Sequence, residues 1–193
     1  AASNTQKELD LVWKHLVPAM QDKALPENKQ AQAILKSRIA GLSAERPVEL
    51  PPDLAKKISG KHIEVSKNEA GISGLSIYID GADNLRLKIF HGNEVSEIKA
   101  DYGDWNLSQT QLKSLVGVPT TNPSGLFKVA SMYDWINDSI MNISFRFLEE
   151  SIRQENLLLR FEEVGDVINV DIEIINHVEF IGKKSIEIKG KVL

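Results

Sequence analysis

VGVPTTNPSGLFKVASMYDW (116–135), INDSIMNISFRFLEES (136–151) and IRQENLLLRFEE (152–163) follow one another without a break and read as consecutive antiparallel strands. Ile140, Ile143, Phe145 and Phe147, then Leu157, Leu159 and Phe161, recur at a period near two, the spacing of one face of a strand. Asn142, Ser144 and Arg146, with Leu158, Arg160 and Glu162, fall on the opposite face. The stretch describes a scaffold and holds none of the groups a hydrolase needs.

The same period continues outward on both sides. Short β-type runs are expected at about 60–66, 74–80, 85–91, 94–102, 126–134, 139–148, 156–163, 167–175 and 184–192. Turn residues separate them: Asp80-Gly81, His91-Gly92-Asn93, Asn137-Asp138, Gly165-Asp166 and Gly182. Many strands with short turns favour an antiparallel meander. Closing eight or nine of them into a barrel removes the exposed edges. The expectation is a mainly β fold, a lipocalin-like barrel over 49–193, wide enough for filler side chains or one small ligand.

The first 48 residues differ. Leu9, Val12, Trp13, Leu16 and Val17 follow helical spacing, with Thr5 and Glu8 placed as a capping box and Pro18 as a stop or kink. A second helix is predicted from about 27 to 42, where Ala31, Ile34, Leu35, Ile39 and Leu42 form a stripe, Pro26 sits near the first turn, and Gly41 and Ser43 terminate. The run RPVELPP (46–52) carries three prolines and reads as the boundary of this helical appendage, beyond which the helical period disappears.

Composition narrows the function classes. With 42% hydrophobic and 26% charged residues, a chain of 193 has material for a core. A net charge of −4 supplies no broad basic field, so nucleic acid is not an expected partner. The absence of cysteine removes disulfides, thiolate metal sites and cysteine nucleophiles. No apolar run approaches the roughly 20 residues that a membrane span requires.

A family resemblance appears in the order of the segments. YDW (133–135), the turn at Asn137-Asp138, the strand ending RFLEE (146–150) and the strand ending LRFEE (159–163) resemble the β-rich domain at the C-terminal end of some secreted serine hydrolases of the β-lactamase and penicillin-binding type. ISGKHIEV (58–65), GISGLSIYI (71–79) and GDW (103–105) are similar to the same family. The resemblance implies a non-catalytic accessory domain, periplasmic or extracellular, with the catalytic serine-hydrolase domain as its partner in cis. The start at Ala1 in place of Met is read as processing or truncation; truncation fits the resemblance, which then implies a piece of a longer precursor with part of the helical stripe left exposed.

The family's nucleophile is a Ser three residues before a Lys at the start of a helix. The chain has that spacing at Ser96-Glu97-Ile98-Lys99, in a predicted strand, where the two side chains point to opposite faces. No Ser-Asp-Asn, Tyr-x-Asn or Lys-Thr-Gly element accompanies it, so no catalytic residue carries over. Ser73 and Ser124 read as turn residues, not nucleophile elbows. His15, His62, His91 and His177 are too scattered for a local metal pair, and Asp80, Asp83 and Asn84 lack an EF-hand's spacing. The adjacent pairs Glu149-Glu150 and Glu162-Glu163 read as solvated strand ends. No cofactor is expected.

Arg146 and Arg160 hold equivalent places before a Phe in two neighbouring strands. If they face the lumen, partnered by Glu149 or Glu162, they would bind an anionic or polar ligand; on the outside they form a charge ladder, the cheaper arrangement. Trp105, Tyr133 and Trp135 are candidates for stacking on a sugar or peptide, as in a cell-wall binding module, or for plugging a barrel mouth. Candidate ligand-binding residues are therefore Trp105, Tyr133, Trp135, Arg146, Glu149 and Arg160, with the barrel as a small-molecule carrier the second functional reading. Asn106-Leu107-Ser108, Asn137-Asp138-Ser139 and Asn142-Ile143-Ser144 match the glycosylation sequon.

Overall fold

The computed structural model describes residues 5–23, 26–40, 52–81, 83–113, 115, 124–149, 154–178 and 182–193. The chain divides into two compact units, Ala1–Ser43 and Ala44–Leu193.

The first unit is helical. α1 (Thr5–Leu11) passes into a single π turn at Val12–Leu16 and a 3-10 turn at Val17–Ala19, so the helix widens before Pro18 and tightens around it. α2 spans Lys29–Ala40, and its first turn is capped by Asn28, whose Oδ1 accepts from Ala31 N at 2.9 Å. The apolar residues of both segments, among them Trp13, Leu16, Ile34 and Leu35, are exposed. The Thr5 side chain, Gly41 and Ser43 lie outside the described residues. No described helix is long and apolar enough to cross a membrane.

The second unit is mainly β. Its strands are β1 (His62–Val65), β2 (Gly74–Asp80), β3 (Asn84–His91), β4 (Glu94–Tyr102), β5 (Asn106–Thr110), β6 (Phe127–Asn137), β7 (Ile140–Phe147), β8 (Gln154–Val164), β9 (Val167–Val178) and β10 (Gly182–Val192). Nine of them, all except β5, form a closed ring in the order β4-β3-β2-β1-β10-β9-β8-β7-β6, with β4 returning to β6. In a ring of antiparallel neighbours the directions alternate, so an odd number forces one parallel contact. It falls at the closure, where Asp101 and Tyr102 pair in parallel with Met132 and Tyr133. β5 reverses after Gly103, whose φ of 63° is the left-handed region glycine tolerates, and pairs antiparallel with the other half of the same β6 edge.

Inward residues form rows around the barrel. Tyr133, Ile143, Leu157, Ile174 and Ile186 lie in register across β6 to β10, as do Trp135, Met141, Leu159, Ile172 and Ile188. Met141, in place of the expected Ile140, belongs to the inward set of β7. Phe145, Phe147 and Phe161 are buried in the same core. Fully burying each such side chain is worth about 1.5–3 kcal/mol relative to leaving it in water.

Two elements were absent from the sequence expectation. α3 (Asp53–Ile58) follows Pro52, carries Asp53 in its first turn and Lys56 and Lys57 in its last, and buries Leu54, Ala55 and Ile58. Six residues are too few to display a helical period. Ser59 locks its end to β2: Ser59 Oγ accepts from Ile79 N at 2.9 Å and donates to Ile79 O at 3.2 Å. β5 (NLSQT) was missed because its one apolar residue, Leu107, points outward and its inward positions are Asn, Ser and Thr.

Candidate functional site

Inside the barrel, one row above the Tyr133 row, the register runs Ser131, Phe145, Glu155, Asn176. Glu155, Asn176 and Ser131 are fully buried. Glu155 Oε1 accepts from Asn176 Nδ2 at 3.4 Å, and Oε2 accepts from the backbone N of Leu115 at 3.3 Å. Leu115 and Leu112 are themselves buried, and Leu112 N is held by Thr110 Oγ1 at 3.1 Å. A carboxyl in such a place needs donors around it, and the two named here tie the segment after β5 to β8 and β9. Sequence reasoning passed over Glu155 and Asn176. The signal was parity: Glu155 is two residues before Leu157, and Asn176 two after Ile174, both on the inward face.

On the outer face, β6, β7 and β8 carry a polar comb. Asn142 Nδ2 donates to Asp134 Oδ1 at 2.9 Å and to Ser144 Oγ at 3.3 Å. Asn156 Nδ2 donates to Ser144 Oγ at 2.6 Å and to Asn142 Oδ1 at 3.1 Å. Asn156 Oδ1 is buried and has no hydrogen-bond partner among the described residues.

A third polar pair, Ser76 Oγ and His62 Nδ1 at 3.4 Å, lies on the outside of β1 and β2. It has the residue types of a nucleophile and base but not the setting. Ser76 is mid-strand, with its neighbours bound in the ladder to β3, so no N–H is turned toward a developing oxyanion. The His62 ring packs edge-on against Phe90, centroids 5.4 Å apart, and lies across Gly74, where a Cβ would meet it at 2.5 Å. The pair is a packing arrangement.

The candidates from the sequence are dispersed. Tyr133 is in the core, its ring 5.3 Å from that of Tyr102, and burial pushes its phenol well above the ordinary range. Trp135 is partly buried against Phe161, with centroids 6.2 Å apart, and its Nε1 has no hydrogen-bond partner among the described residues. Trp105, one residue before β5, is 41% exposed.

Arg146 and Arg160 both face outward, because the inward sets of β7 and β8 are Met141 to Phe147 and Glu155 to Phe161 at alternate positions. Nor are they equivalent: antiparallel pairing sets Arg146 opposite Gln154 and Arg160 opposite Ile140, towards opposite ends of the pair. Arg146 donates to Gln154 Oε1 at 2.9 Å, Arg160 pairs with Glu173 at 3.0 Å, and Glu149 pairs with Lys128 at 3.2 Å. Of the two arrangements the sequence left open, the structure shows the exterior ladder favoured there, where the charges stay in water and cost little.

Ser96 and Lys99 fall on opposite faces of β4. Glu163 is paired with Lys57 at 2.6 Å, and Glu150 and the His177 side chain lie outside the described residues. Burial lowers the His91 pKa; Glu94 opposes the shift and Lys113 reinforces it. Among the described residues no group of three or more His, Asp or Glu is placed to hold a metal ion. No protein-family model, curated protein or solved structure matches the chain.

Proposed function

We propose that this chain is a non-catalytic accessory domain of a β-lactamase-like serine hydrolase, supporting the catalytic domain or mediating its envelope contacts, in the periplasm or outside the cell. The observation that supports this is the filled inner face, where Phe145, Phe147, Phe161 and the aliphatic rows pack together as a structural core. The separation of Ser96 from Lys99 across the sheet fits the same reading. An antibody to the domain, used on native fractions labelled with a serine-hydrolase active-site probe, tests it. A labelled band well above 21.5 kDa is expected. An unlabelled band at 21.5 kDa overturns it.

The second reading, a small-molecule carrier, draws on the buried Glu155 and Asn176, polar groups of the kind that orient a ligand in an apolar pocket. Saturable displacement of a fluorescent fatty acid by a cell extract, abolished in Asn176→Leu, would favour it.

A further inference from the structure

From α1 through the 3-10 turn at Val17–Ala19, the chain carries a row of large apolar side chains that its own described residues leave uncovered. Leu9, Val12, Trp13, Leu16, Val17 and Met20 recur at i, i+3, i+4, i+7, i+8 and i+11, the pattern of one helical face, and are 38–75% exposed. The π turn, closed by Val17 N on Val12 O, widens that face. At those exposures the six side chains present roughly 600 Å2, so two copies laid face to face bury about 1,200 Å2, the low end of specific interfaces.

The charges along the segment say which partner fits. Glu8 and Asp10 precede Trp13, while Lys14 and His15 follow it. Lys7 shares a side with Leu11, four residues on, away from Leu9. A row acidic at its start and basic at its end is complementary to itself only when reversed. In an antiparallel pair about a two-fold axis near Val12, Asp10 of each copy meets Lys14 of the other, whereas a parallel pair sets like charges together. Within one chain Asp10 accepts from Gln6 Nε2 at 2.9 Å, and no ion pair joins it to Lys14. Over residues 5–19 Lys7 and Lys14 balance Glu8 and Asp10, so an anionic lipid surface gains no net attraction.

We infer that this face is a dimerisation surface, occupied by the same segment of a second copy in antiparallel orientation, with Trp13 near the centre and Asp10–Lys14 pairs flanking it. The inference goes beyond the accessory-domain reading and does not rest on it.

Sedimentation equilibrium of the purified full chain tests it. A reversible dimer of twice 21.5 kDa is expected, with a Kd between about 1 and 100 μM. Trp13→Ala should weaken it roughly tenfold or more, and Leu107→Ala, an exposed site on the barrel, should leave it unchanged. Asp10→Lys and Lys14→Glu should each weaken self-association about fivefold or more, because each sets like charges across the two-fold axis. An equimolar mixture of these two variants should recover the dimer, since every 10–14 pair is then opposite in sign; a charge effect confined to one helix cannot be restored by mixing. Far-UV circular dichroism of each variant separates lost pairing from lost folding. Association undiminished in Trp13→Ala, equal loss in Leu107→Ala, or a mixture no tighter than its components would each overturn the inference. So would a monomer up to about 500 μM, and co-flotation of that monomer with vesicles of phosphatidylcholine and phosphatidylglycerol would assign the face to lipid instead.

Discussion

The helical unit and the barrel carry apolar patterns of comparable clarity and treat them in opposite ways. Along α1, the π turn after it and α2, Leu9, Trp13, Leu16, Ile34, Leu35 and Ile39 keep helical spacing and remain exposed. Along β7 and β8, Ile143, Phe145, Phe147, Leu157, Leu159 and Phe161 alternate and are almost wholly buried. A periodic stripe therefore specifies which element forms, while burial requires a second surface within reach. The barrel supplies that surface by curling on itself, since each inward side chain meets side chains from strands distant in sequence. Among the described residues of its own short unit, the stripe of α2 stays exposed.

The contrast predicts a steep gradient of mutational cost. Phe145→Ala should destabilise the chain most, by about 3–5 kcal/mol, through lost burial and the cavity left behind. Urea unfolding followed by far-UV circular dichroism measures it, and a loss under 1 kcal/mol would mean that the lumen is not a packed core. Glu155→Leu comes next, at about 1–3 kcal/mol, because Leu115 N and Asn176 Nδ2 lose an acceptor inside the barrel. Amide exchange at Leu115 should accelerate in this variant while exchange in the Tyr133 row stays slow.

Gly190→Ala tests how tightly β1, β9 and β10 approach. A Cβ there would lie 2.9 Å from Glu64 O and 3.1 Å from the Val170 side chain, and the strain should cost about 1–3 kcal/mol. At the shallow end, Trp13→Ala and Leu35→Ala should change the unfolding midpoint of the barrel by no more than about 0.5 kcal/mol. A loss of the Phe145 class in either would dissolve the comparison by showing that the helices share the barrel's core.

His91 offers a smaller effect with a defined sign. Its folded pKa is held below the unfolded value of 6.5, so the unfolded chain takes up a proton first as pH falls. The stability that goes with the neutral ring is complete above pH 6.5 and is lost as the pH drops through and below that value. His91→Gln should flatten the decline between about pH 6.5 and 5, compared by parallel denaturant titrations.

Much of the barrel was legible because a strand buried on one face must alternate, and alternation is a local property of the chain. β2 and β4 match the expected 74–80 and 94–102 at both ends, and the Gly165-Asp166 turn stands where β8 reverses into β9. Gly165 alone has positive φ there, as a type II′ turn demands. β5 and α3 were illegible for the converse reason, one lacking apolar residues on its inward side and the other too short for a period.

For the candidate residues, composition and spacing identified the types but not the neighbours. Trp105, Tyr133 and Trp135 look alike in the sequence, yet one is exposed, one is core and one is wedged against Phe161. Face parity was sufficient to separate Ser96 from Lys99 and would have placed Glu155 inside. Local chemistry along the chain, then, set the elements, their turns and their inward faces. The parallel closure of β4 on β6 and the tie of Leu115 to Glu155 came from segments distant in the chain, and the outer comb of Asn142 and Asn156 from the register of neighbouring strands. Register is a property of pairing and belongs to no strand by itself.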